Sequence, residues 1–376
     1  MKKNTLLYLF ALSLIGLGNS TFAAETTWSG FLSASIGKTL GTGETYLVDP
    51  VTNGSYTDQW QSEPESMVGL QATSVISDKM RTTVQMLAKG YDSYNVNIDL
   101  AFLSYSLTDT VTLNAGRFRL PFYHYSSFID VGYAYHWVRA PMDYYSIPHT
   151  SLDGANLRYA DYLFESDVEI ELQAWYGNSN LKSVSENAVG EMQTTSLEVR
   201  KDIGLTATFT WEWLKLRLLH NEKVISYSAD SAPSDTEYDA IGLMVDYENV
   251  IFRSEYSELK TDQSPEPGKS WYLSAGYQIG NFLPHITMSK NDPIIIPDFT
   301  TFGAGGTPIF STVNIDQVTD SLTIGVRWDV HSNTAIKAEY ITHEIETEVY
   351  GFFDNVYRGN SSDDINVFAL SVDVVF

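Results

Sequence analysis

Charged and aromatic side chains are interspersed in one stretch of the sequence, from Arg119 to Ser151, which is dense in Tyr, Phe, Trp and His. Carboxylates and guanidinium groups set side by side can impose a transverse field and a size limit on a passing ion or solute. The charged residues that we single out in and around this stretch are Arg117, Arg119, Asp130, Arg139, Asp143, Asp153 and Arg158. The aromatic residues that could shape a constriction, or only pack the segment in place, are Tyr125, Tyr133, Tyr135, Trp137, Tyr144 and Tyr145.

Catalytic and metal-binding patterns are not found in the sequence. His220, His285 and His343 lie in extended stretches, but none is spaced from a serine as a catalytic dyad would be, and the glycines form no phosphate-binding loop. No cluster of histidines or carboxylates has metal-ligand spacing, and cysteine is absent. We therefore expect no enzyme activity, no cofactor and no metal. The formal charge of -24 argues against nucleic acid as a partner.

The rest of the chain is predicted to be β-structure, and these strands must hold the charged stretch. Alternation of apolar and polar residues predicts sixteen strands. Their approximate ranges are 27–39, 65–77, 80–90, 96–107, 110–118, 152–161, 167–178, 194–211, 213–226, 236–248, 249–260, 269–279, 283–292, 317–330, 334–346 and 364–376. Tight turns alternate with long connections, which predicts an up-and-down antiparallel barrel with short turns at one rim. A sandwich or propeller has no reason to alternate in this way.

The two sides of each strand differ in polarity, so parity assigns them to the outside or to a wet lumen. The basic residues assigned to the lumen are Arg81, Lys89, Arg158, Lys215, Arg217, Arg253, Arg327 and Lys337. The acidic ones are Asp99, Glu169, Glu171, Asp246, Glu255, Asp329, Glu339 and Asp373. Any of these charges could instead be a cross-strand ion pair. Arg117 shares parity with Leu113 and points outward, unless Gly116 introduces a bulge or the strand has reached the rim.

The last strand ends the chain on an apolar ridge made of Phe368, Leu370, Val372, Val374 and Phe376. This pattern resembles the terminal strand of Gram-negative outer-membrane β-barrels, in which the closing aromatic residue is read by the barrel-assembly machinery. The sixteen strands and the order of the loops are similar to those of porins over the whole mature chain. In such a barrel the last strand must pair with the first, because an open edge cannot persist in lipid.

Residues 119–151 resemble the third loop of porins, which follows the fifth strand and folds into the pore. The motif from Ala115 to Phe122 is similar to the corresponding stretch of the phosphate-selective porin O/P group. The resemblance to porins implies a homotrimer surrounded by outer-membrane lipid and lipopolysaccharide. A phosphate channel would need an excess of basic residues along its path, and the two wall lists are equal in length.

The amino end, residues 1–23, has the form of a secretory signal, with a basic start, an apolar run from Leu6 to Leu17 and a cleavage site after Ala23. Residues 24–376 then form one barrel domain, with 24 Tyr, 18 Phe and 8 Trp available for aromatic girdles. We predict an outer-membrane porin for passive diffusion of small hydrophilic solutes and ions. The alternatives are a specific channel for a sugar, peptide or anion, a structural or adhesive barrel, and a soluble secreted all-β protein.

Overall fold

The computed structural model describes residues 25–376 apart from 49–53, 148, 165, 187–191, 227–232, 263, 265, 294–300, 303–307, 310–312 and 352–356. The predicted signal segment, residues 1–23, lies outside the described residues. Within the described ranges, no helix is long and apolar enough to cross a membrane. The helices found in the same ranges are single 3-10 turns at Gly90–Asp92, Ser126–Phe128 and Gly132–Ala134.

Sixteen antiparallel strands form one closed barrel, which confirms the predicted fold class and strand count. In chain order they are β1 Glu25–Thr39, β2 Met67–Ser77, β3 Met80–Lys89, β4 Val96–Ser106, β5 Val111–Arg119, β6 Ser151–Tyr162, β7 Val168–Glu186, β8 Met192–Trp211, β9 Leu214–Ser226, β10 Ser234–Tyr247, β11 Val250–Thr261, β12 Gly268–Tyr277, β13 Phe282–Asp292, β14 Val313–His331, β15 Thr334–Gly351 and β16 Tyr357–Val375. Each strand pairs with its neighbours along the chain, as in a meander.

The barrel closes where β16 pairs with β1, as the apolar terminal strand predicts. Leu32 is paired with Val374, and Ser35 is paired with Ser371. The terminal Phe376 continues the ladder, since its backbone N–H and carbonyl both bond to Gly30 at 3.0 and 2.8 Å. Every strand of the barrel therefore has two neighbours, and no edge is left open.

Side chains alternate between the lumen and the outer surface, as the parity of the sequence predicts. On β16, Ala369, Ser371 and Asp373 are buried inside, whereas Leu370 and Val372 lie outside. Large aromatic side chains lie on the outer surface beside the short turns, among them Tyr105, Trp211, Tyr247, Tyr277, Phe282 and Trp328. These residues form a girdle at the rim with short turns, as aromatic residues do at a membrane–water interface.

The connections differ in length at the two rims. Two of the long ones contain short hairpins, Tyr46–Leu47 with Ser55–Tyr56 and Thr301–Phe302 with Pro308–Ile309. Strands β7, β8, β14, β15 and β16 extend farther toward the long-loop rim than predicted. Apart from residues 313–316 of β14, these extensions no longer alternate apolar with polar residues regularly. An apolar outer side is needed only at the height of the girdled band, so the periodicity stops before most of these strands end.

Candidate functional site

The connection between β5 and β6, residues 120–150 and here called the β5–β6 loop, is bonded to side chains that project into the lumen. Lys337 on β15 donates from Nζ to the carbonyls of Gly132 and Trp137, both at 2.6 Å. Two residues along the same strand, Glu339 Oε1 accepts the backbone N–H of Val138 at 2.9 Å. Lys337 and Glu339 thus bond to backbone groups of the loop that are not paired with a strand.

A second set of bonds fixes the beginning of the β5–β6 loop to β9 and β11. The Arg217 guanidinium donates to the carbonyl of Phe122 at 2.9 Å. Glu255 accepts the backbone N–H of His124 at 3.0 Å and the hydroxyl of Tyr145 at 2.6 Å. Burial, followed by the neighbouring Lys215, Arg253 and Arg217, lowers the pKa of His124 to about 3, so this imidazole is neutral at physiological pH.

The far side of the loop reaches β13, β14 and the turn after β14. The buried Asp143 carboxylate accepts the hydroxyls of Ser289 and Thr319, each at 2.6 Å. Tyr133 donates its hydroxyl to the carbonyl of Ser332 at 2.8 Å, and Ser332 lies in the tight turn between β14 and β15. The loop therefore crosses the lumen and reaches the rim that carries the short turns.

Aromatic packing fills the space between the loop and the wall. Trp137, Tyr144, Phe122 and Leu120 are almost fully buried, and Trp137 also donates its indole N–H to Thr287 Oγ1 at 2.8 Å. Wall residues join the same cluster, namely Trp175, Leu219, Tyr238, Ala240 and Tyr272. Most of the aromatic residues singled out in the sequence therefore pack the loop against β7–β12.

The predicted constriction residues Arg119 and Asp130 lie together, at one side of the loop. Asp130 is buried and accepts from Lys89 at 2.8 Å and from Arg119 at 2.6 Å. Arg119 also pairs with Asp99, which occupies a register shift in the pairing of β3 with β4. Burial raises the pKa of Asp130, but the cations Lys89 and Arg119 outweigh it and bring the value down to about 2.

Arg139 and its partner form a second charged pair of the loop. Its guanidinium lies 2.9 Å from Glu65 Oε1 and stacks over the ring of Tyr46 with a separation of 5.1 Å. The proximity of Glu65 raises the pKa of Arg139 despite burial. Sequence reasoning did not identify Glu65 as a site residue. It precedes β2 in a long connection, where no periodicity indicates which way a side chain points.

Arg117 and Asp153 do not lie in the lumen, so their assignment to the constriction is wrong. The ladder continues without a bulge through Gly116, and Arg117 is directly opposite Asp153. The two side chains form a bidentate ion pair, with both distances 2.8 Å, on the outer side that also carries Leu113 and Leu157. The parity of β5 had indicated this orientation.

The remaining predicted charges lie on lumen-facing sides and fall into two groups. Arg217, Arg253 and Arg327 hold the loop; Arg253 donates to the Tyr125 hydroxyl at 3.0 Å, and Arg327 donates to the carbonyl of Tyr135 at 2.9 Å. The other group lies away from these contacts, where Arg158 is bonded to Glu171, and Arg81 and Glu169 occupy lumen-facing positions near the short turns.

A cavity of about 290 Å³ lies between the loop and the wall formed by β1, β2, β3 and β16. Its wall side includes Ser33 and Asp373, and its loop side includes Asp130, Val138 and Arg139. The aromatic cluster occupies the opposite half of the lumen, and the cavity therefore runs along the side that the cluster leaves open.

Comparisons with known proteins place this geometry in a structural class. No protein-family model matches the sequence, and no curated protein sequence is similar to it. Solved structures do match. The Vibrio cholerae outer-membrane protein OmpT has a TM-score of 0.58 at 10% identity, covering 95% of this chain and 99% of its own. An anion-selective porin from Comamonas acidovorans has a TM-score of 0.58 at 11% identity, with coverage of 94% and 100%. The outer-membrane channel DcaP of Acinetobacter baumannii has a TM-score of 0.57 at 11% identity, with coverage of 96% and 99%.

The chain has the fold of sixteen-stranded outer-membrane porins. Coverage of nearly the whole of both chains means that the likeness includes the complete barrel, and not one sheet of it. At 10–13% identity, the likeness extends to the fold and not to the side chains in the lumen. The roles of those side chains follow from the geometry of this chain.

One contact in the lumen resembles part of a catalytic triad. Ser321 Oγ lies 2.8 Å from Nδ1 of His343, and Asp143 Oδ1 lies 3.9 Å from the same nitrogen. In a triad, the nucleophile and the carboxylate bond to different ring nitrogens, so that the base can take a proton from one side while it is oriented from the other. Here both partners share Nδ1, and the arrangement therefore fixes the imidazole without preparing a nucleophile.

Proposed function

We propose that the protein is an outer-membrane channel through which small hydrophilic solutes and ions diffuse passively. The observation that carries this proposal is the closed barrel with an apolar outer band, a polar lumen, and a loop held across that lumen by wall side chains. In lipid only such a closed barrel, or a helix, satisfies every backbone group. A sixteen-stranded barrel is too wide for wall side chains alone to fill, and the β5–β6 loop would then determine what passes.

The surroundings of the barrel follow from the same proposal. We place the protein in the bacterial outer membrane, exported by its amino-terminal signal, inserted by the barrel-assembly machinery and surrounded by lipid and lipopolysaccharide. A homotrimer is proposed on the likeness to porins, among which one solved form of Vibrio cholerae OmpT is described as a trimer. The lumen side chains that hold the loop are bonded to it and are therefore not free to act on a substrate. This favours transport over catalysis.

Single-channel recording in planar bilayers tests the proposal, with Gly132→Ala as the informative variant. Stepwise current is expected from the folded wild-type protein. A Cβ at Gly132 would lie 2.2 Å from Asp373 Oδ1 and 2.6 Å from Ser33 Oγ. Because Lys337 and Ser371 hold the Asp373 carboxylate in place, the alanine should move the loop away from β1 and β16. The conductance of Gly132→Ala should therefore increase.

Ser127→Ala is the matched control, since Ser127 is an exposed residue of the same loop. Its conductance should equal that of the wild type. Folded protein that gives no current steps would contradict the channel. Equal conductance in Gly132→Ala and the wild type would contradict the proposal that the position of the β5–β6 loop determines how much current passes.

A further inference from the structure

The cavity beside the β5–β6 loop has one polar and one apolar side. Its polar side is formed by hydroxyl groups on the wall together with Glu65, Arg139 and Asp373. Its apolar side includes Ile129, Val138 and Met142 of the loop, and Met67 of β2. A volume of about 290 Å³ is at the small end of the range for ligand pockets, roughly 300–1,000 Å³. The space suits a solute of about the size of one or two sugar rings.

The charges around the cavity cancel in pairs. Lys89 and Arg119 face Asp130 and Asp99. Arg139 faces Glu65. On the wall, Asp373 faces Lys337 at 2.9 Å. An ion that entered the cavity would have to displace one of these pairs to gain a counter-charge, and such a displacement leaves a buried charge unpaired. The cavity therefore disfavours ions and favours a neutral solute.

Hydrogen-bonding capacity is nevertheless left over at the same place. Asp373 is only 1% exposed, and its Oδ2 accepts from Lys337 and from Ser371, whereas its Oδ1 has no hydrogen-bond partner among the described residues. Glu65, 9% exposed, and Arg139 are close enough for an ion pair, but the Glu65 Oε1 and Arg139 terminal nitrogens are not aligned for a hydrogen bond. Buried polar atoms without partners are costly and are usually satisfied by a bound molecule or water.

We infer that this cavity binds a neutral, hydroxyl-rich solute of sugar size, an inference that rests on the proposed channel function. A hydroxyl group both donates and accepts, so a solute that moves Gly132 aside can bond through neighbouring hydroxyls to Asp373, Glu65 and Arg139 at no cost in net charge. The C–H face of the same solute can pack on Ile129 and Val138. The channel would then hold its solute briefly on the way through.

The test is block of single-channel current by glucose, measured on the full-length protein in planar bilayers. Glucose should interrupt the current in a concentration-dependent manner, whereas glycine, as a zwitterion, and inorganic phosphate, as an anion, should not do so at equal concentration. Asp373→Asn and, as an independent variant, Glu65→Gln should each raise the half-blocking glucose concentration about tenfold, because each removes a charged acceptor.

Glu171→Gln is the matched control, because this carboxylate faces the lumen and pairs with Arg158 away from the cavity. Its half-blocking concentration should stay at the wild-type value. Open channels that glucose does not interrupt, or that phosphate or glycine interrupts at lower concentration, would overturn the sugar site and leave the channel proposal standing. The absence of current steps from folded protein would overturn both. Equal weakening by Glu171→Gln would overturn the assignment of the site to this cavity.

Discussion

Two aspartates of the β5–β6 loop show how differently single residues are held in the lumen. Asp130 is neutralised by the cations Lys89 and Arg119, whereas Asp143 is held by the hydroxyls of Ser289 and Thr319. Both carboxylates are buried, and burial is tolerated because every contact donates a hydrogen bond or supplies a charge. Their first role is to attach the loop, and any influence on a solute acts through the position of the loop.

The ion pairs of Asp130 predict an acid-sensitive loop. Its pKa of about 2 is below the ordinary value of 3.8, so the pairs stabilise the docked loop fully above about pH 4. That stabilisation should be lost as the pH falls through about 2. Single-channel conductance recorded from pH 5 to pH 2 should therefore change only in the acid part of this range.

Asp130→Asn provides the comparison, because the amide keeps the shape and removes the titration. The variant should show at neutral pH the conductance that the wild type approaches only below pH 2, where Asp130 is fully protonated, and it should lose the acid transition. A transition of the same size in Asp130→Asn would assign the acid sensitivity to another group.

At the scale of the strands, the ion pair of Arg117 with Asp153 lies on the outer surface between β5 and β6. The alternation of side chains along β5 is enough to predict this position. Alternation along β5 puts Arg117 on the side of Leu113. The prediction of a lumen position depended on a bulge at Gly116 or on the strand having reached the rim, whereas the ladder contains no bulge there and continues past Arg117 to Arg119. Alternation was reliable for wall residues because strand geometry repeats every two residues. It could not place Glu65 or the bonds of the loop, which depend on contacts between segments far apart in sequence.

The pair of Arg117 with Asp153 predicts a difference between single and double variants. Arg117→Leu leaves the Asp153 carboxylate without its partner on an apolar surface, and should destabilise the barrel by about 1–2 kcal/mol. Replacing both residues by leucine also removes the unpaired Asp153 carboxylate and should recover most of the lost stability. The measurement is the temperature at which the folded form on a gel converts to the unfolded form.

Conversion at the same temperature in Arg117→Leu and in the wild type would mean that the outer pair contributes nothing to stability. A double variant less stable than either single variant would mean that the pair makes contacts beyond its own partner, as in an interface between subunits.

For the whole molecule, the sequence contains enough information to predict closure, because the last strand has an apolar side for the outside and small or polar residues for the inside. The register that joins β16 to β1 could not be predicted from the sequence, because no short-range pattern relates residues that are more than 300 positions apart. Turn lengths and alternation identify neighbours along the chain, and only the count of strands and the need to remove an open edge identify the final pair.

A pair of engineered cysteines tests that register in a chain that has none of its own. Ala34 is directly opposite Val372 on the outer surface, at a separation that a disulfide can span. Ala34→Cys with Val372→Cys should cross-link on oxidation and give a faster band of the heat-denatured protein on a non-reducing gel. Ala34→Cys with Leu370→Cys, displaced by two residues, should cross-link much less. Equal cross-linking of both pairs would contradict the register.

The bonds that hold the β5–β6 loop also set an order of events during assembly. The loop is fixed by residues 199 to 205 positions later in the chain, as in the contacts of Tyr133 with Ser332, Val138 with Glu339 and Gly132 with Lys337. Contacts between such distant positions form late, because the intervening chain must first be ordered. The loop emerges early in synthesis, yet most of its anchors exist only once β13–β15 are in place. A nascent barrel would therefore have an interior wider than the mature one, and it would narrow once β13–β15 have been added.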